Sequence, residues 1–375
     1  MSNPPLSEPS SGRPWRFRCA GALGAALLCA ITPELGAQRR PPTRPGPLFG
    51  GSDEPPPKRP DAPIDPLLPT GAVIASGRLR PAIAGQSAFC SLRGSVCVHG
   101  TGGVGGSTAL AALSALERAH ERLVAVLHLP APLPDTEGGS DALDWYLEPG
   151  SAGSVDVELD PVRAAGEDRA AAFCSSGTAG SPRLLERAAT LCVAEAIAAR
   201  LDASETPHAR RAYAEHLWLE VGQPTARDAE ALDDVQAHPE RAIGRRDRSA
   251  WSEGGALLFE YLDSALGRGD PWVLPTALIA LGAGATRADA WQWRNEPDGF
   301  DVLRKTFDDL PSRMASMMGC FAVSRAFAGD RDDGAHLPRF AWAGALGRVR
   351  FDWSLPFSTL PRRVASPRPV EPTGA

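Results

Sequence analysis

The chain has 375 residues, of which 43% are hydrophobic and 22% charged, enough to build one large soluble domain or two modest ones. A net charge of −6 and a pI near 5.7 supply no basic field, so no nucleic-acid partner is expected. Arginine outnumbers lysine 37 to 2, which points to base composition rather than to a task for guanidinium groups.

The first 37 residues read as a signal peptide: Arg13, Arg16 and Arg18 precede an apolar run from Cys19 to Ile31, and Leu35-Gly36-Ala37 offers a small-residue cleavage site. The run falls short of the ~20 apolar residues that span a bilayer. No stable membrane span is therefore expected after cleavage, with a retained signal anchor as the competing reading. Bulky Leu28 argues against lipid attachment at Cys29. The expected location is secreted, periplasmic or in the cell envelope. Residues 38–69 hold eleven prolines among polar and charged residues and read as a disordered tether.

From Gly71 to Val98 a loose alternation predicts two or three short strands. Apolar residues from Leu110 to Leu127 then recur with a 3.6-residue period and predict one long helix over 108–127. Strands are expected at Asp141–Leu147 and Ser154–Leu159. Ser181-Pro182 and Thr206-Pro207 each pair an N-cap with a first-turn proline, starting helices that run to about Asp202 and to Gly222. Helices at about 252–266, 274–283, 300–310 and 312–328 follow, then a strand at 348–353. The fold class is α+β, with a domain over 70–330 and a strand-rich tail over 331–375.

In an oxidising compartment, cysteines close in sequence pair. Cys90 with Cys97 and Cys174 with Cys192 are the expected disulfides, leaving Cys320 as a buried, inert thiol. Metal binding by cysteines is the weaker alternative, since the chain has no CxxC.

Gly100-Thr101-Gly102-Gly103-Val104-Gly105 has the spacing of a dinucleotide fingerprint. Its helix runs on where a second strand is due, and no acidic residue ends such a strand. A glycine-rich turn is the simpler reading; a nucleotide-binding enzyme is the remote one.

The helix Val193-Ala194-Glu195-Ala196-Ile197-Ala198-Ala199 and the segment Ser252-Glu253-Gly254-Gly255-Ala256 resemble the paired zinc-site helices of gluzincin-type metallopeptidases. Similarity to secreted bacterial metallopeptidase-like proteins extends to Leu127–Pro134 and Leu143–Leu147, and covers roughly 85–330. The resemblance implies a zincin-like fold: a mostly helical body with a small N-terminal sheet. It aligns Glu195 and Ala199 with two zinc ligands, Ala196 with the general base and Glu253 with the third ligand. Alanine has no lone pair to donate and takes no proton, so a zinc-bound water has neither its ligands nor its base there. The expectation is a pseudopeptidase with no catalytic residues, no metal and no cofactor, whose vestigial site of Glu195, Ala196, Ala199 and Glu253 binds a peptide or protein or serves as scaffold. An active hydrolase with non-standard ligands is the alternative.

Without that resemblance, Glu195 reads as a partner for an arginine such as Arg187 or Arg200, and Glu253 as a first-turn acid at its helix dipole. His120-Glu121 is half of an HExxH and reads as a surface pair. His208, His216 and His238 are close enough in sequence to meet between helices. Asp228–Asp234 reads as an exposed acidic face, Asp330–Gly334 as a solvated turn, and most tryptophans, including the group Trp251, Trp272, Trp291 and Trp293, as packing residues.

Overall fold

The computed structural model describes residues 87–134, 140–151, 155–160, 168–238, 254–267, 270–283 and 311–340, with shorter pieces at 73–75, 81, 287–289, 292–294, 299, 302–303 and 342–347. The expected signal peptide, the tether, Glu253, Trp251, Trp291 and the strand at 348–353 lie outside the described residues. So does most of the helix expected at 300–310.

In chain order the elements are β1 (Val73–Ala75), β2 (Ser87–Cys90), β3 (Val96–Gly100), α1 (Gly106–His120), a π-helical turn (Glu121–Val126), β4 (Leu143–Ser151), β5 (Val155–Asp160) and β6 (Ala171–Ala179). There follow α2 (Pro182–Leu201), α3 (Pro207–Val221), α4 (Ala226–Ala237), α5 (Ala256–Leu266), α6 (Val273–Gly282), β7 (Arg287–Asp289), β8 (Gln292–Arg294) and α7 (Pro311–Ala326). Five strands form a mixed sheet in the order β2-β3-β4-β6-β5, and β1-β8-β7 form a small antiparallel one. The fold is α+β, with seven α-helices among the described residues and a five-stranded mixed sheet contributed by residues 87–179.

Strands β3, β4 and β6 run parallel, while β2 and β5 border them antiparallel. The β2–β3 hairpin turns at Gly94, whose φ of +66° suits glycine. Opposite residues Cys90 and Cys97 close this hairpin with a disulfide at a Cα separation of 4.1 Å. Val96, Val98, Trp145 and Leu147 join the apolar core. The residues alternating with them carry a buried polar pair: His99 Nε2 lies 2.8 Å from Asp144 Oδ1, and its ring stacks on Tyr146 at 4.7 Å.

Helix α1 buries Leu113, Leu116 and Ala119 of the stripe its period predicts, with Ala109 and Ala112 beside them, yet leaves Leu110 51% exposed. The last predicted turns are π rather than α, closed by Leu127 N–H to Arg122 O at 2.9 Å. The wider turn keeps Leu123 buried and turns Val126 outward. His128 then takes a left-handed φ of 58°, and Leu129 N–H returns to Leu123 O, which ends the helix.

Both proline-started helices form as their caps predict. Ser181 Oγ accepts from Leu184 N at 3.3 Å, and Thr206 Oγ1 accepts from Ala209 N at 3.2 Å. Helix α2 is buried without interruption from Arg187 to Ala199, against α1, α3 and the β5–β6 edge of the sheet. The second expected disulfide, Cys174–Cys192, fastens it to β6 at a Cα separation of 5.8 Å. Both sulfurs sit in the core. Converting both cysteines to alanine removes an 18-residue closed loop and should lower unfolding stability by about 3 kcal/mol, read from urea melts of the oxidised protein and the variant. A loss under about 1 kcal/mol would mean that packing alone seats α2.

Cys320 is half-buried rather than buried, because Met317 and Phe321 take the inward positions of α7. Asp330–Gly334 is a 3-10 turn and bend on the surface, as expected. Among the described residues no helix is long and apolar enough to cross a membrane.

Candidate functional site

The residues aligned with a zinc site lie deep in the protein. Ala196 is 1% exposed, Ala199 is fully buried and the Ala199 carbonyl accepts from Ala170 N at 2.9 Å. Glu195, also buried, meets Arg211 Nε at 2.8 Å, and Arg211 donates onward to Val155 O on the edge strand. The expected arginine partner is thus found on α3. Arg200 Nη1 donates to Ala131 O at 2.6 Å. Glu253 lies outside the described residues, but the glycine after it is tightly placed: a Cβ on Gly254 would stand 2.4 Å from Val235 and 2.6 Å from Ala231 O. Gly254 is thus pressed onto α4.

Arg187 anchors a buried triad instead. Its Nη2 is 2.8 Å from Glu215 Oε2 and its Nε donates to Asp228 Oδ1. Asp228 is not part of an exposed acidic face. It is fully buried at the third position of α4, where it forms a capping box with Thr225 and accepts from Trp218 Nε1 at 2.9 Å. Burial alone would raise its carboxyl; the hydrogen bond to Glu215, the Arg187 charge and the Thr225 and Trp218 donors outweigh it and hold it at about 2.

A second constellation gathers where α3 meets α5. His216 is fully buried; its Nδ1 contacts Glu260 Oε1, and its Nε2 lies 3.0 Å from Pro271 O. Glu220, one turn after His216 on the same face of α3, completes a triad whose potential ligand atoms all lie within 4.8 Å of one another. Asp263, one turn after Glu260 on α5, is buried beside it with Arg339 Nη1 at 3.7 Å.

The electrostatics there are steep. Burial works against charge on His216, but the Glu260 charge and hydrogen bond prevail and raise it to about 9. Glu220 is pushed up to about 7 by burial and by the Glu260 charge, and Asp263 to about 6, chiefly by burial.

Of the three histidines that could have met, only His216 reaches this cluster. His208 is half-buried on the first turn of α3, and His238 is half-exposed, 3.8 Å from Asp234. His216 and Glu220 have the i, i+4 spacing that a sequence can show. Glu260, 44 residues after His216, carries no sequence signal that ties it to them.

His120 is half-buried and lines a surface groove of about 430 Å³ with Ser91, Arg93, Glu117 and Glu121. Exposed Leu92 stands at its rim.

The glycine-rich stretch has more of its nucleotide context than the sequence suggests. After the π turn a parallel strand, β4, does pair with β3, and the loop lies at the crossover. Yet the other neighbour of β3 is its antiparallel hairpin partner β2, so strand order does not reverse there to open a crevice. Only Gly103, with φ +97°, needs to be glycine for its backbone, and a Cβ on Gly102, Gly103 or Gly105 would press on no neighbour closer than 4.0 Å.

Of the tryptophans, Trp145 and Trp218 are core residues and Trp272 is half-buried. Comparison with protein-family models, with curated proteins and with solved structures returned no match for this chain.

Proposed function

We propose that this chain is an exported, zincin-like protein that does not cleave peptide bonds and acts by binding a peptide or protein or as a scaffold. The observation that carries the reading is the state of α2. Its aligned ligand and base positions, Ala199 and Ala196, are packed into the core, and the remaining acid, Glu195, is committed to Arg211. Packed in the core, Ala196 and Ala199 offer no surface to a substrate carbonyl or an attacking water. Two disulfides support an oxidising destination. The groove beside His120 supports the binding half of the reading.

The test is an assay of the purified full chain on unstructured protein and mixed peptides, with and without a strong chelator. No chelator-sensitive cleavage is expected. Cleavage that disappears both on chelation and in Glu195→Gln would overturn the proposal. The second reading, a hydrolase with non-standard ligands, draws on the His216, Glu220 and Glu260 cluster; cleavage sensitive to Glu220→Gln but not to Glu195→Gln would favour it.

A further inference from the structure

From the geometry where α3 meets α5 we infer that His216, Glu220 and Glu260 form a binding site for one divalent transition-metal ion, of the Mn²⁺ or Zn²⁺ type. This goes beyond the reading above and does not depend on it, since the site is separate from Glu195, Ala196 and Ala199.

Three donor atoms from two helices converge within 4.8 Å. Neighbouring ligand atoms around such an ion stand about 3–3.5 Å apart, given bonds of about 2.0–2.2 Å. Bringing the widest gap in the triad to that spacing takes shifts of about 1 Å or less in two side-chain tips, while the contact of His216 Nδ1 with Glu260 Oε1 opens to admit the ion. Two of the three groups are already fixed: His216 and Glu260 are 0% and 2% exposed. Glu220 is half-buried, so water can reach the ion from its side and fill the remaining positions.

The imidazole is oriented as a ligand would be. Its Nε2 lies 3.0 Å from the Pro271 carbonyl and donates to it, which leaves Nδ1 as the atom that faces the carboxylates. A backbone carbonyl on the far nitrogen is the usual outer partner of a metal-bound histidine, setting its tautomer and ring angle. On binding, the ion replaces the proton at Nδ1, which leaves to solvent.

Charge favours the same conclusion. Three carboxylates, Glu220, Glu260 and Asp263, share this corner with one imidazole and with Arg339, which stands 3.7 Å from Asp263. Asp263 Oδ1 is buried and makes no hydrogen bond among the described residues. One imidazole with two carboxylates suits a first-row ion better than calcium or magnesium, which take oxygen ligands.

Equilibrium dialysis of the chelator-treated full chain against Zn²⁺ or Mn²⁺ alone, with metal analysis, tests the site. One ion per chain is expected, bound at least about tenfold more weakly in Glu220→Gln and in Glu260→Gln but unchanged in His238→Ala. Glu220→Gln alters a half-buried side chain, and its ion-free thermal melt checks that it folds. No ion bound at millimolar free metal, or binding indifferent to both glutamine variants, would leave His216 and Glu260 as a structural ion pair only and overturn the inference. Neither result touches the proteolysis assay, so the two readings fail separately.

Discussion

Exchanging Arg187 for methionine should lower the unfolding free energy by about 3–5 kcal/mol at neutral pH. The side chains of Arg187, Glu215 and Asp228 are 2%, 1% and 0% exposed, so the guanidinium is the counter-charge for two carboxylates that water does not reach. Methionine fills much of the volume, so the loss reports the stranded charges rather than a cavity. Replacing the acids as well, in Arg187→Met with Glu215→Gln and Asp228→Asn, should return a large part of it.

The pH dependence carries a definite sign. Asp228 sits at about 2 when folded against 3.8 in its ordinary state. Its stabilisation is complete above the unfolded value and is lost as pH falls through the folded one. Without Arg187 the carboxyl rises, so the variant gains relative stability as that acid protonates. Urea melts at pH 7 and pH 3 should therefore show the gap narrowing in acid. A gap below about 1 kcal/mol at pH 7, or one equal at both pH values, would mean that the triad is not an electrostatic unit.

How much of this was legible in the sequence varies with the signal. Helices α2 and α3 were readable because Ser181-Pro182 and Thr206-Pro207 act locally, through one hydroxyl and one ring each. The disulfides were readable from spacing and compartment. Strand β6, Ala171–Ala179, was not: a strand buried between β4 and β5 has no wet face, so its small residues show no alternation. Helix α4 was missed although its Thr225 and Asp228 have capping-box spacing, because Asp228 to Asp234 reads as solvated charge until Arg187 is known to lie against it. The His216, Glu220 and Glu260 cluster shows the same limit. Its first two members share a helical face, but only the packing of α5 on α3 brings the third within reach.

Ala199→His should cost about 3 kcal/mol or more and should bring no zinc beyond what the unchanged chain holds. Ala199 is fully exposed to core and not at all to solvent, and its carbonyl ties Ala170 to the helix. An imidazole there adds ring atoms to a packed layer, worth about 1–3 kcal/mol of strain. It also buries two nitrogens without partners, at about 1–3 kcal/mol more. If instead this position lined a cleft, the ring would find space, the melting curve would barely move, and adding Glu195→His and Ala196→Glu would raise zinc affinity. The single substitution thus separates a core position from a cleft position, with thermal melts and zinc dialysis read together. A large loss with no zinc beyond that held by the unchanged chain means that α2 is a core helix, whose packing against β5 and β6 depends on alanine at this position.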